Sequence, residues 1–317
     1  MAIIDSILDS KKTAFSFEIL PPLKGNGIEK VFQSIDPLLE FNPKYINITT
    51  HHSEFVYQTR ANCNIENYNI RKRPGTVAIA AAIQNKYGIP AVPHMICLGF
   101  SKAETEYALI DLQFLGITDV FVLRGDKGKL EPNFIPEGQY HCHATELQEQ
   151  IRLFNEGFFI DGTPMQEKPT PFTYGVAGYP EKHEESPNEE SDLFYLKKKV
   201  EAGASYIVTQ MFFDNQKYFR FVERCRAEGI TVPIIPGIKP IQKASQLSIL
   251  PKTFRSDIPE VLAKEIRNCK NDTEVKDLGV EWCINQCKEL IKFGVPSIHF
   301  YTVNATESVC RIAKEIY

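Results

Sequence analysis

The stretch Phe15–Pro22, FSFEILPP, covers most of the first of eight short apolar segments that decide the fold, together with the two prolines that follow it. It places one carboxylate, Glu18, inside an apolar strand, and two prolines end the strand because proline has no amide hydrogen to donate. The eight segments alternate with stretches that have helical apolar spacing. They are Ala14–Leu20, Lys44–Thr50, Ala91–Cys97, Asp119–Arg124, Phe172–Gly178, Ser205–Gln210, Pro233–Ile238 and Ser297–Thr302. This alternation predicts an α/β fold, the (β/α)8 TIM barrel.

Most of these segments have a polar residue at or near the C-terminal end that apolar packing does not require. These residues include Glu18, Thr49, His94, Asp126, Gln210 and Tyr301. In a (β/α)8 barrel the active site lies at the C-terminal ends of the strands. The pattern therefore predicts an enzyme with one central site.

Length and composition favour one globular domain. The chain has 317 residues, 24% of them charged and 43% hydrophobic, which is ordinary for a globular protein. We predict a single barrel domain over residues 1–317, with an extended loop region at about 127–171 and extra helices before the last strand. The net charge of −4 argues against a nucleic-acid-binding surface.

Targeting signals and cysteines bear on the compartment. Residues Met1–Lys12 lack the apolar core of a signal peptide. No apolar run approaches the roughly 20 residues that span a bilayer. The eight cysteines include no CxxC pair, which favours free thiols in a reducing compartment over disulfides. We predict a cytoplasmic protein that does not cross a membrane.

Two motifs near the strand ends suggest catalysis and anion binding. Burial disfavours the charged form of a carboxyl group, so Glu18 suits a general acid, although a structural pair with a barrel lysine or arginine is the alternative. In Leu123–Asp126, LRGD, the guanidinium of Arg124 can clamp a phosphate with two hydrogen bonds. Gly125 allows a ligand to approach the main chain closely.

Two later stretches suggest contacts to a heteroaromatic ligand. In Gly178–His183, GYPEKH, Tyr179 can stack on a ring. A pyrophosphate can be held by His183 or Lys199, and the alternative is a solvated acidic loop. The amide of Gln210 offers a donor and an acceptor, which suits a pterin or a pyrimidine edge.

Nucleotide and metal motifs are missing from the sequence. It contains neither a GxGxxG that opens a helix nor a Walker A loop, so a nucleotide cofactor would be held by barrel loops. The clusters His51-His52 and His141-Cys142-His143 do not complete a tetrahedral set, and we predict no metal site.

Nine motifs, taken in order, resemble the bacterial 5,10-methylenetetrahydrofolate reductases. They are FSFEILPP, Ile48-Thr49, Pro93-His94, LRGD, GYPEKH, KKKVEAGA, TQMFFD, PGI and HFYTVN. The resemblance covers nearly the whole chain, from about Lys12 onward. It implies a flavoprotein that binds FAD on a barrel without a Rossmann domain. NAD(P)H would give hydride to the flavin, and 5,10-methylenetetrahydrofolate would then take its place and become 5-methyltetrahydrofolate, supplying methyl groups for methionine synthesis.

The resemblance also assigns roles to residues. Glu18 matches the general acid that helps open the five-membered folate ring, and Asp126 matches an aspartate near the flavin pyrimidine. Gln210 matches the glutamine that hydrogen-bonds the pterin, and Tyr301 lies near the site shared by nicotinamide and folate. The positions that match the FAD lining are Thr49, His94, Leu123, Arg124, Gly125, Asp126, Tyr179, His183, Asp192 and Lys199.

Some features depart from the family pattern. Familiar bacterial members carry arginines where this chain has Leu23 and Ala305. The span between Asp126 and Tyr179 is also longer here, and includes an excursion at Gly157–Pro171. The family forms homo-oligomers, and we expect one. Two alternatives stay open: the same flavin barrel taking electrons from a partner protein, and a flavin-free barrel that binds folate or transfers a methyl group.

Overall fold

The computed structural model describes residues 2–10, 12–51, 54–59, 65–125, 139–303 and 305–317, with the main chain alone for 54–59 and 65–69. The helices are α1 (Ile3–Leu8), α2 (Glu29–Ile35), α3 (Thr76–Tyr87), α4 (Lys102–Phe114), α5 (Ala144–Glu156), α6 (Glu189–Glu201), α7 (Asn215–Ala227), α8 (Gln246–Phe254), α9 (Glu260–Asn268), α10 (Asp272–Phe293) and α11 (Thr306–Ile316). The strands are β1 (Ala14–Ile19), β2 (Ile46–Ile48), β3 (Glu54–Thr59), β4 (Ile65–Ile70), β5 (Ala91–Ile96), β6 (Asp119–Leu123), β7 (Thr173–Gly178), β8 (Tyr206–Thr209), β9 (Ile234–Ile235), β10 (Gly237–Ile238) and β11 (Ser297–Tyr301).

Nine of these strands form one sheet. The hydrogen-bonded order is β10-β11-β1-β2-β5-β6-β7-β8-β9. Its two outermost strands, β9 and β10, are halves of one segment interrupted at Pro236, where the main chain has no amide hydrogen for the ladder. The sheet therefore has eight strand positions separated by helices, and the predicted (β/α)8 class is confirmed.

Contacts divide the chain into two compact units. The first unit comprises Met1–Ile19, Phe32–Asn47 and Thr173–Tyr317, and the second comprises Leu20–Val31 and Ile48–Phe172. The single-domain organisation stays a prediction. None of the helices in the described ranges is both long and apolar enough to cross a membrane, and the cytoplasmic location likewise stays a prediction.

In the first unit, the extra helices before the last strand build a local core. Helices α8, α9 and α10 bury Leu250, Leu262, Ile266 and Val275 against Met211, Phe213 and Ile241. Each such aliphatic side chain contributes about 1.5–3 kcal/mol when fully buried. The indole Nε1 of Trp282, on α10, donates to the carbonyl of Phe213 at 3.1 Å. The helices therefore hold the segment that follows β8 in place.

The second unit contains the hairpin and the excursion. Strands β3 and β4 pair antiparallel from Glu54–Ile70 to Thr59–Ile65, and neither strand is among the eight predicted segments. The extended loop region at about 127–171 contains helix α5, and its residues 127–138 lie outside the described ranges. The excursion is ordered by main-chain hydrogen bonds, including Met165 N to Gly157 O at 2.7 Å.

Candidate active site

Strand β1 presents two chemically different faces. Phe15 packs against Phe41 and Tyr317 with ring centroids 5.7 and 5.5 Å away. Side chains alternate along a strand, so Ser16 and Glu18 share the opposite face. This is why an apolar strand carries a carboxylate near its C-terminal end, and Glu18 is half-buried there.

Strand β11 holds the main chain of Glu18. The two strands run parallel with Glu18 in register with Tyr301. The carbonyl oxygen of Glu18 accepts hydrogen bonds from the hydroxyl of Thr302 at 2.6 Å and from its amide at 3.3 Å. The carboxyl group therefore extends from a fixed backbone.

Tyr301 is oriented by its neighbours. Its hydroxyl donates to the carbonyl of Thr209 at 2.7 Å. Burial, then the charge of Glu18, raises the pKa of Tyr301 well above its usual value, so the phenol stays a neutral donor. A Cβ at Gly237 would lie 2.2 Å from the Thr209 carbonyl and 2.6 Å from the Tyr301 ring. Only glycine fits at this position without movement.

A buried polar cluster lies beside these residues, and the sequence analysis did not find it. His299, fully buried, is 3.0 Å from the Ser16 hydroxyl through Nδ1. The ring of Tyr45 stacks on it, with centroids 5.6 Å apart and planes at 11°. Burial raises the pKa of Tyr45, and Glu18 adds to this effect. Alternation along β11 was the available signal, because His299 and Tyr301 are two residues apart on one face.

Lys239 is a second site residue that the sequence analysis missed. It follows β10 directly and is 8% exposed. Its ammonium donates to the carbonyls of Val303 and Tyr301 at 3.2 and 3.5 Å. Burial lowers the pKa of Lys239, and the charge of Glu18 opposes this. The signal was a lysine inside the otherwise apolar PGIKP stretch.

The GYPEKH stretch brings together the predicted ring and anion contacts. The rings of Tyr179 and His183 meet edge to face, with centroids 4.7 Å apart. The carboxylate of Asp192 accepts from the amide of His183 at 3.2 Å and from the hydroxyl of Ser186 at 3.0 Å. The Lys199 ammonium lies 6.0 Å from the centre of the Tyr179 ring.

Lys199 is a partly desolvated cation. Its ammonium donates to the carbonyl of Ala177 at 2.8 Å. Burial lowers its pKa to about 8, while the carboxylate of Asp192 favours the charged form. Burial disfavours the charged form of Lys199, and a bound anion would favour that form again.

A cavity of about 220 Å³ opens beside Tyr179. Acidic and basic side chains both line this cavity. The ammonium of Lys217 lies 2.7 Å from a carboxylate oxygen of Glu181 and also contacts Asp257. The alternative interpretation of this stretch, an acidic loop in solvent, fits its outer part. The amide oxygen of Gln210 accepts from the amide of Met211 at 2.9 Å, which fixes the side chain at the end of β8.

The second unit holds the remaining described site residues. His94, in β5, is 4% exposed and lies against Phe121 with centroids 5.2 Å apart. Burial, and secondarily His51, lowers the pKa of His94 to about 3, so its imidazole is neutral. Its carbonyl accepts from the hydroxyl of Thr50, next to the half-buried Thr49.

The LRG part of the LRGD motif forms a turn at the end of β6. The carbonyls of Leu123 and Arg124 accept from the amide of Cys97, and that of Arg124 also accepts from Leu98 at 3.0 Å. Gly125 has φ +89°, and a Cβ there would lie 3.3 Å from Ile96. This conformation favours glycine. Asp126 lies outside the described residues.

Comparison with known proteins decides the family. A family profile described as methylenetetrahydrofolate reductase matches residues 3–317. The chain belongs to the methylenetetrahydrofolate reductase family. The resemblance inferred from the nine motifs is confirmed.

Relatives of the methylenetetrahydrofolate reductase family match most of this chain. A probable methylenetetrahydrofolate reductase (NADPH) from Caenorhabditis elegans is 31% identical over 99% of this chain and 43% of its own length. The 5,10-methylenetetrahydrofolate reductase of Escherichia coli is 30% identical over 92% of this chain and 86% of its own length. The chain spans about half the length of the eukaryotic relatives it matches.

A solved structure shares the fold. It is an uncharacterized protein from Clostridium thermocellum that binds two copies of 5-methyl-5,6,7,8-tetrahydrofolic acid. The alignment has a TM-score of 0.58 at 16% identity, and covers 98% of this chain and 97% of that one. At this identity the likeness supports the barrel fold alone.

Proposed function

We propose that this protein reduces 5,10-methylenetetrahydrofolate to 5-methyltetrahydrofolate with a reduced nicotinamide, NADH or NADPH, through bound FAD. The observation that carries the proposal is the position of Glu18 at the C-terminal end of β1, in register with Tyr301, in a chain of this family. The product would supply methyl groups for methionine synthesis. We also propose that the protein is cytoplasmic and assembles as a homo-oligomer.

The described residues fit FAD. Lys199 is a partly desolvated cation beside Tyr179, and this pair suits a pyrophosphate next to an aromatic ring. His183 and Asp192 fix the same loop. In the second unit we propose contacts from Thr49, His94, Leu123, Arg124 and Gly125. Gly125 has a positive φ, and its main chain is proposed to approach the cofactor closely.

FAD, when bound, would accept hydride from the nicotinamide and pass it to the one-carbon unit of the folate. Glu18 would hold a proton on its carboxyl group and donate it to the ring nitrogen that leaves as the five-membered ring opens. The main-chain carbonyl of Glu18 is held by Thr302, so the carboxyl group would donate this proton from a fixed backbone. Asp126 is proposed to lie near the flavin pyrimidine.

Gln210 and Tyr301 would orient the folate. The oxygen of the Gln210 amide is held by Met211, so its N–H donors would face an acceptor on the pterin. The Tyr301 hydroxyl is held by the Thr209 carbonyl, so the ring edge would border the space that folate and nicotinamide occupy in turn. Both residues would position the substrate without taking its proton.

The sequence leaves two alternatives for the molecule that donates electrons to the flavin. Ala305 is 2% exposed and its amide donates to the Thr302 carbonyl at 2.8 Å, so a long side chain has no room there without movement. Leu23 is 52% exposed. Neither position supplies the cation found in familiar members, and electrons from a partner protein are therefore the second candidate.

Anaerobic stopped-flow absorbance separates these proposals. We expect the wild type to be yellow, to bleach with NADH and to recover with methylenetetrahydrofolate. Glu18→Gln should bleach at a similar rate and recover at least about a hundredfold more slowly, because an amide cannot donate the proton. Tyr195→Phe, at an exposed position on α6, is the matched control.

Each other outcome has a distinct meaning. A yellow protein that NADH does not bleach indicates a partner donor. A colourless protein that does not take up FAD would contradict the flavoenzyme assignment and leave the folate-binding or methyl-transfer barrel.

A further inference from the structure

Lys239 is a basic residue buried in an otherwise apolar stretch of the chain. It is 8% exposed and lies between the buried residues Ile238 and Pro240. Its ammonium is solvated by two main-chain carbonyls, those of Tyr301 and Val303. Neutral carbonyls alone are poor compensation for a buried charge, which is usually paired with an opposite one.

The segment that accepts hydrogen bonds from Lys239 also holds the main chain of Glu18. Thr302 lies between Tyr301 and Val303, whose carbonyls accept from Lys239. It holds the Glu18 carbonyl through both its amide and its hydroxyl. Lys239 and Glu18 therefore approach the end of β11 from its two neighbouring strands, β10 and β1. Among the described groups that act on Lys239, Glu18 is the one that favours its charge most, against the larger effect of burial.

Three titratable groups nearby are kept neutral near pH 7. Burial raises the pKa of Tyr45, which precedes β2, of Tyr301 on β11, and of Cys283 on α10. Tyr179 also acts on Tyr301, and His299 meets the Tyr301 ring edge to face. Of Lys239, Tyr45, Tyr301 and Cys283, Lys239 is the group that carries a positive charge when protonated.

We propose that Lys239 is a positioning residue that places a positive charge beside Glu18 and so sets the pH at which this carboxyl group loses its proton. A nearby cation favours the carboxylate over the neutral acid. Removing the cation should make Glu18 hold its proton to higher pH. As a role in catalysis this rests on the proposed function, but the electrostatic coupling itself does not.

Three substitutions separate charge from packing. Lys239→Met removes the charge and the hydrogen bonds, Lys239→Gln removes the charge and keeps a donor, and Lys239→Arg keeps both. Lys252→Met, at an exposed position on α8, is the matched control. The first measurement is a carbon-13 NMR titration of glutamate-labelled protein, in which Glu18→Gln identifies the Glu18 signal.

We expect the titration midpoint of Glu18 to rise by about one pH unit in Lys239→Met and Lys239→Gln, and to stay near the wild type in Lys239→Arg and Lys252→Met. The second measurement is the pH profile of flavin reoxidation by methylenetetrahydrofolate. The limb of this profile that depends on Glu18 should move to higher pH by the same amount. The rate at which NADH bleaches the flavin should keep its pH dependence.

An unchanged Glu18 midpoint in Lys239→Gln would overturn the proposal, even if activity falls at every pH. If Lys239→Met does not fold, Lys239→Gln and Lys239→Arg still decide between charge and packing. If the protein binds no flavin, the NMR titration still tests the coupling, so failure of the proposed function and failure of this inference are separate results.

Discussion

At the scale of single residues, the site combines groups whose charge depends on burial. Lys199 illustrates this, because its pKa is lowered to about 8 by desolvation. Near pH 7 the group is still cationic, and above pH 8 it becomes neutral in the ligand-free protein. An anion bound next to it would favour the protonated form.

We therefore expect FAD binding to weaken as pH rises through about 8, by up to about tenfold per pH unit, because each binding event would need a proton that the free protein has lost. The measurement is the Kd of apoprotein for FAD, by fluorescence quenching, from pH 7 to pH 9.5. Lys199→Met should bind more weakly at pH 7 and lose this dependence.

Lys198→Met, one residue earlier and exposed, is the control and should follow the wild type. A wild-type Kd that stays flat between pH 7 and pH 9.5 would show that Lys199 is not near the pyrophosphate.

The sequence predicted the positions of polar residues that interrupt apolar strands, while their roles stay predictions. Glu18, Thr49, His94, Gln210 and Tyr301 all lie at or near strand ends in the structure. Lys239 and His299 were missed because a strand pattern shows which residues alternate, but not which buried polar side chains meet across strands. Those contacts join residues far apart in the chain, such as Ser16 and His299.

At the scale of elements, local chemistry set most boundaries. Helix α4 begins after Ser101, since the Ser101 hydroxyl accepts from the Glu104 amide and the Glu104 carboxylate accepts from the Ser101 amide at 2.8 Å. Helix α6 begins at Glu189, because Asn188 caps it by accepting from the amide of Ser191.

Replacing Ser101 should show how much this cap contributes. We expect Ser101→Ala to lower the free energy of unfolding by about 1 kcal/mol, since the first-turn amide of Glu104 loses its acceptor. The measurement is urea denaturation followed by circular dichroism. Ser101→Asn should restore most of the loss, because asparagine caps helices about as well as serine.

If Ser101→Ala and the wild type unfold at the same urea concentration, water or another group replaces the cap.

Two elements are not evident from the sequence pattern, for identifiable reasons. The β3–β4 hairpin is not predicted because its strands contain many polar residues and lack the Asn-Gly type of turn that marks short hairpins. The apolar spacing of Ile28–Phe41 is helical throughout, yet the structure has α2 followed by a 3-10 helix, Asp36–Phe41, because Pro37 cannot donate to the α-helical ladder.

At the scale of the whole molecule, the cysteine thiols differ in how far they are exposed to solvent. Seven cysteines lie in the described ranges, and all are free. Cys142 is exposed, whereas Cys283 and Cys287 are buried, and burial raises the pKa of both. The thiolate is the reactive form, so buried thiols with a raised pKa react slowly.

We expect Cys142 to react first among these seven with a thiol reagent near neutral pH. Cys63 lies outside the described residues, so the assay compares Cys63→Ser with Cys63→Ser/Cys142→Ser. The fast phase present in the first protein should be absent from the second. Persistence of a fast phase in the double variant would show that one of the other cysteines becomes accessible in the native state.

The pairing of β1 with β11 also has a consequence for biosynthesis. Ser297 bonds Ala14 across 283 positions of sequence, so β1 leaves the ribosome long before its neighbour exists. Until β11 is made, the edge of β1 that carries Phe15, Phe17 and Glu18 is open to pairing with other chains. Contacts this distant in sequence are slow to form, so this edge of β1 stays unpaired until synthesis of the chain is almost complete.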